Sequence, residues 1–125
     1  MIFTKKVIFP LLSFLLFFIQ PGNAQVVINE FSCSNVSTTT DDFGDTPDWI
    51  ELYNSGATSV SLTGYYLSDK KNNPTKWAIP AGVSIAANGF VRIWASGRSV
   101  VNGGNIHAGF KLTQTQPEAI VFANA

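Results

Sequence analysis

A chain of 125 residues with eight Lys and Arg against eight Asp and Glu carries no net charge at neutral pH, and it has a single cysteine. The balance, which becomes six basic against eight acidic side chains once the first 24 residues are set aside, argues against the clustered positive surface that nucleic acid or an anionic membrane requires. One thiol excludes both an intramolecular disulfide framework and a cysteine-based zinc site.

Residues 1–24 read as an export signal rather than as part of a fold. Lys5 and Lys6 form a basic start, residues 7–19 are an apolar run of 13 residues, and Pro21-Gly-Asn-Ala24 offers the small residues that a signal peptidase reads. A spanning helix needs about 20 apolar residues, and this run falls short of that and contains Pro10. Cleavage is expected after Ala24, giving a secreted or cell-surface protein with no stable membrane insertion. Cys33 lies too far from the apolar run to mark a lipid attachment box. The signal holds Phe3, Phe9, Phe14, Phe17 and Phe18, half of the ten phenylalanines, so the rest is polar, with six basic against eight acidic side chains. Residues 25–125, about a hundred, suffice for one domain with one core.

From Gln25 onward the pattern is one of short β-rich runs separated by Gly, Asn, Pro and Ser, with no helical periodicity, as in sandwiches and barrels. Residues 25–31 form the first predicted strand, and Cys33 just beyond it reads as a small, partly buried hydrophobe. Residues 48–53 form the second, with Trp49, Glu51 and Tyr53 on one face and Ile50 and Leu52 on the other. Asn54-Ser-Gly-Ala57 predicts a hairpin turn, with Gly56 at positive φ, leading into residues 60–62. Thr63-Gly64 breaks the chain before residues 65–68, and residues 69–74 are a polar loop ending in a proline that no central strand accepts. The strand pattern resumes at residues 77–79.

Val83 and Ile85 alternate into the turn Ala87-Asn88-Gly89, which predicts a hairpin with residues 90–95, where Val91 and Ile93 face one way and Arg92 and Trp94 the other. Residues 97–105 read as a flexible loop around Gly103-Gly104, residues 107–112 as a strand, and residues 119–122 as the start of another. The expectation is that the last strand or strands are incomplete and that the chain is part of a longer protein.

The acidic turn that runs directly into an alternating aromatic strand, Asp45-Thr-Pro-Asp-Trp-Ile-Glu-Leu-Tyr-Asn54, is the most informative stretch. With Ile28-Asn-Glu-Phe31, Gly64-Tyr-Tyr-Leu-Ser-Asp69 and Trp94-Ala-Ser-Gly97 it resembles the lamin tail domain, over nearly everything after residue 25. The resemblance implies an all-β, immunoglobulin-like β-sandwich, found in nuclear lamins and in many secreted bacterial proteins. Nuclear function does not carry over, because this chain has an export signal and no heptad segment. The acidic loop that bacterial modules of this kind carry ahead of the strand falls on Asp42, Gly44, Asp45, Asp48, Trp49 and Glu51.

Asp42, Asp45 and Asp48 recur at three-residue spacing around Gly44, and Glu30 and Glu51 sit on the flanking strands. Hard oxygen donors on a turn suit calcium, so Asp42, Asp45, Asp48 and Glu51 are candidate calcium ligands, although the spacing matches no EF-hand. Aspartates are also turn formers in their own right. No other cofactor and no catalytic residue is expected. His107 is the only histidine and reads as structural or surface, and the acids crowd one loop instead of lining two walls of a glycosidase cleft.

Trp49 and Trp77 are assigned to packing between the sheets, while Trp94 and Tyr65 are candidate exposed rings for stacking on a ligand. Asn35-Val-Ser37 matches an N-glycosylation acceptor. The reading is a non-enzymatic binding or adhesion module with a protein or glycan ligand, an N-terminal accessory domain of a larger exported protein. The alternatives are a targeting module of an extracellular nuclease or phosphatase, and a carbohydrate-binding module.

Overall fold

Alternation in two neighbouring strands builds the centre of the molecule. The computed structural model describes residues 25–114 and 119–125, and the expected export signal lies outside them. These residues hold no helix and form β1 (Val26–Ser32), β2 (Asp48–Asn54), β3 (Val60–Ser61), β4 (Tyr65–Ser68), β5 (Trp77–Ala78), β6 (Ser84–Ile85), β7 (Phe90–Ala95), β8 (Val100–Asn102), β9 (Asn105–His107) and β10 (Val121–Asn124). A five-stranded sheet runs β1-β2-β7-β9-β8, a three-stranded sheet β10-β4-β5, and a two-stranded sheet β3-β6. Pairing is antiparallel except between β7 and β9.

Ile50 and Leu52 of β2 and Ile93 of β7 have no exposed surface, and with Val26, Ala95 and Ile106 they form the inner face of the large sheet. Leu67, Trp77 and Ile85 from the smaller sheets meet them, joined by Leu62, Ile79, Phe110 and Leu112 from the connections. Each such side chain contributes about 1.5–3 kcal/mol by leaving water. The result is an immunoglobulin-like β-sandwich with a single core. Cys33 is half-buried against that core.

Both expected hairpins are corners at which the chain changes sheet. β3 pairs with β6 rather than with β2, and β7 pairs with β2 rather than with β6. Asn54 holds the two corners together. Fully buried, it donates from Nδ2 to the carbonyls of Thr58 (2.8 Å), Ile85 (3.1 Å) and Ala86 (3.1 Å) and accepts the Gly56 N–H at Oδ1 (2.9 Å). Its backbone N–H donates to Gly89 (3.0 Å), and that of Asn88 to Gly56 (3.2 Å). Side-chain alternation is the same on either side of a hairpin and of a corner, so periodicity does not separate them.

Gly56 is not among the residues at positive φ; Asn88 is, at 55°. A Cβ at Gly56 would meet only the side chain of Gln25, which is exposed and can turn away. The expected loop at residues 97–105 contains the β8–β9 hairpin instead, with Gly103 and Gly104 at φ of 53° and 87°, as a tight two-residue turn requires. The strand expected at residues 107–112 ends at His107, followed by an isolated bridge between Ser96 and Lys111.

Candidate functional site

Residues opposite one another in neighbouring strands share a face, and the outer face of the large sheet is built from three such rows. In the first, Val27 lies opposite Tyr53, and Tyr53 opposite Phe90. The rings of Tyr53 and Phe90 stack at 4.7 Å, and Phe90 is 57% exposed and Val27 39%. In the second row Glu30 faces Glu51, and Glu51 faces Arg92. Glu51 accepts a hydrogen bond from Asn29 Nδ2 at 3.0 Å and lies 4.0 Å from the Arg92 guanidinium.

The third row runs Ser32, Trp49, Trp94, His107. Arg92 covers the two indoles, its guanidinium 4.4 Å from the Trp49 ring and 5.7 Å from that of Trp94. The acidic loop covers His107, and Asp41 shapes it. Its carboxylate accepts the N–H groups of Phe43 and Asp45, both at 2.9 Å, while Gly44 takes a φ of 82° to close the turn.

His107 has no exposed surface, and both ring nitrogens are engaged: Nε2 with Asp42 Oδ1 at 2.7 Å, Nδ1 with Ser96 Oγ at 2.9 Å. An ionised carboxylate only accepts, so Nε2 carries a hydrogen. Desolvation pushes the Asp42 carboxyl up, but hydrogen bonds from Asn102, His107 and its own backbone, with the charge of His107, outweigh it and hold Asp42 below its ordinary value. The edge of Phe43 meets the imidazole at 5.2 Å, and the Arg98 guanidinium lies 4.5 Å from the Phe43 ring. Arg98 also bonds Asp41 at 3.5 Å and makes a close contact with Asp45.

Ser96, His107 and Asp42 repeat the hydroxyl–imidazole–carboxylate order of a hydrolase relay. Here the chain of bonds is a clamp. It ties a loop to a sheet through a sealed imidazole, and the Ser96 hydroxyl also accepts the Arg98 N–H at 3.4 Å. The cleft beside Ser96, about 650 Å³, is walled by Asp45, Asp48, Arg98 and Lys111, acids and bases in equal number.

The four candidate calcium ligands meet four different sets of partners. Asp42 holds His107 and Asn102, Asp45 holds Arg98, Asp48 accepts the Asn35 N–H at 2.9 Å, and Glu51 is bound by Asn29 and Arg92 in the middle row. Among the described residues, Asp41, Asp42 and His107 are the acidic and imidazole groups whose ligand atoms lie within 4.8 Å of one another. A set with an imidazole already bonded to one of its acids does not fit calcium's demand for six to eight oxygens.

Trp94, expected to be exposed, is buried under Arg92 in the row that ends at His107. Tyr65 is half-buried against the core, its ring stacked on Phe122 at 5.0 Å. Trp77 is in the core as expected, but Trp49 is buried on the outer face and not between the sheets. Sequence reasoning passed over the stacked pair of half-buried Tyr53 and exposed Phe90, because strand alternation gives a face and not a cross-strand neighbour. It also passed over Asp41, Ser96, Arg98 and Asn102. Asn35 of the glycosylation match is buried and donates both amide hydrogens, to Thr39 O (2.7 Å) and Pro47 O (2.8 Å), which closes it to an oligosaccharide.

Among known families, residues 19–124 match the lamin tail domain. No curated protein and no solved structure matches the chain. With the match spanning nearly the whole sequence and an immunoglobulin-like sandwich beneath it, this chain belongs to the lamin tail domain family.

Proposed function

We propose that this chain is a non-catalytic binding or adhesion module of an exported or cell-surface protein, and that it binds through the outer face of the five-stranded sheet. The observation that carries the reading is the row Val27–Tyr53–Phe90, in which Val27 and Phe90 are exposed and Tyr53 is half-buried, beside the charged row Glu51–Arg92. Large exposed apolar groups gathered beside polar ones mark interaction surfaces rather than ordinary exterior. Membership of a family of immunoglobulin-like domains supports a module over an enzyme.

Within that reading a glycan is the favoured ligand class. Sugar rings offer C–H faces to aromatic side chains and hydroxyls to carboxylates and amides, and here Tyr53 and Phe90 adjoin Glu51, Asn29 and Arg92. A targeting role beside an extracellular nuclease or phosphatase uses the same face. Depletion of the full chain from solution by washed peptidoglycan, chitin or cellulose particles, or by an adsorbed collagen layer, tests the proposal. Retention on a polysaccharide supports the glycan reading, and retention on collagen alone replaces it by a protein ligand. Full recovery from all four contradicts the module reading.

A further inference from the structure

Two asparagines of this chain are followed by glycine, Asn88 and Asn102, and the fold treats them differently. Asparagine is thermolabile because the next backbone nitrogen can attack its side-chain carbonyl carbon, and a following glycine leaves that approach open, having no Cβ and a freely turning backbone. At Asn88 the attacking group is tied up. The Gly89 N–H donates to Ala86 O at 2.9 Å, and the corner is held further by Asn88 N–H to Gly56 O (3.2 Å) and Asn54 N–H to Gly89 O (3.0 Å). At Asn102, among the described residues, nothing accepts the Gly103 N–H. Asn102, Gly103 and Gly104 are all exposed, and β8 is a three-residue strand that ends its sheet, so the hairpin tip opens locally at little cost.

What separates Asn102 from an ordinary labile asparagine is its partner. Its Nδ2 donates in a close contact to Asp42 Oδ2, while Asp42 Oδ1 holds His107. The amide therefore helps to anchor the acidic loop from the other oxygen of the carboxylate that forms the clamp. A carboxylate at position 102 would have no hydrogen to donate and would set a like charge against Asp42.

We propose that Asn102 is a site of spontaneous deamidation, and that its conversion loosens the acidic loop on the outer face. The Gly103 nitrogen bonds to Asn102 Cγ and gives up its proton to solvent, and the side-chain nitrogen leaves as ammonia. The succinimide so formed takes up one water at either of its two carbonyl carbons and opens to aspartate or isoaspartate. The net change is one water in and one ammonia out, with no oxidant or reductant. Both products place a carboxylate where the donor stood, and isoaspartate also lengthens the backbone at a turn built for two residues. The inference does not depend on what the outer face binds.

The full chain is held in mildly alkaline buffer and digested with trypsin, which leaves Asn88 in residues 77–92 and Asn102 in residues 99–111, and conversion is read by mass, with fragmentation to separate Asn102 from Asn105. In the folded chain Asn102 should convert about tenfold faster than Asn88 or more, the bond on the Gly89 N–H being the difference, and in urea the two rates should converge. Equal rates in the folded chain overturn the proposal. Asn102→Asp tests the consequence: amide exchange at Phe43 and Asp45, whose N–H groups bond Asp41 within the loop, should quicken severalfold over the parent. Unchanged exchange there overturns the proposal as well.

Discussion

His107 and Asp42 stand 65 positions apart in the chain, yet Nε2 of one donates to Oδ1 of the other at 2.7 Å, and that bond seats the acidic loop on the outer face of the large sheet. On the far side of the same ring Ser96 completes the clamp at 2.9 Å. Replacing His107 by alanine leaves the buried Ser96 hydroxyl without its partner and a space where the fully buried ring was, while the exposed Asp42 turns to water. The expected loss is about 2–3 kcal/mol, read as a lower urea midpoint with an unchanged slope. A variant as stable as the parent would show that the clamp contributes nothing.

Stability should depend on pH through Asp42. Its folded-state pKa lies below the ordinary value of 3.8, so its contribution is fully present above that value and is lost as pH falls through the lower, folded one. Urea unfolding from pH 6 down to pH 2 should therefore show the parent losing more stability than Asp42→Asn below pH 3.8. Parallel curves would remove Asp42 as a source of acid sensitivity.

Asn54 should be the most sensitive polar position of the fold. Asn54→Ala strips the Thr58, Ile85 and Ala86 carbonyls of a shared donor and frees two corners at once. A cost of about 2–4 kcal/mol is expected, at the upper end for a single buried polar group. Thermal or urea unfolding of the variant checks it, and a loss under 1 kcal/mol would mean that water takes over the amide's role.

Calcium is expected to leave the melting temperature unchanged relative to chelator, because Asp42, Asp45, Asp48 and Glu51 are bound to different protein partners. A rise with calcium that disappears in Asp45→Ala or Asp48→Ala would show instead that the loop reorganises around the ion.

The strands themselves were legible because alternation and turn residues are local signals. Phe90–Ala95 and Tyr65–Ser68 fall where the pattern places them, and the inward and outward residues of β7 are those that alternation gives. The pairings at the corners were not legible, since the bonds of Asn54 reach residues 31 and 32 positions away. The same holds for the site. Aspartates before a strand are visible in sequence, but whether they converge on an ion or separate to Arg98, His107 and Asn35 depends on contacts far along the chain. The burial of Trp94 is not visible in strand alternation, because the groups that cover it are its parallel neighbour His107 on β9 and the Arg92 guanidinium.

The central claim is that the outer face binds. The most direct test compares the parent with Tyr53→Ala/Phe90→Ala on whichever of the four surfaces retains the parent, with Val101→Ala, an exposed change on β8, as the control. The account predicts that the double variant stays in solution, with unfolding like the parent's, while the control is retained. Retention of all three alike would contradict it and move the binding surface elsewhere.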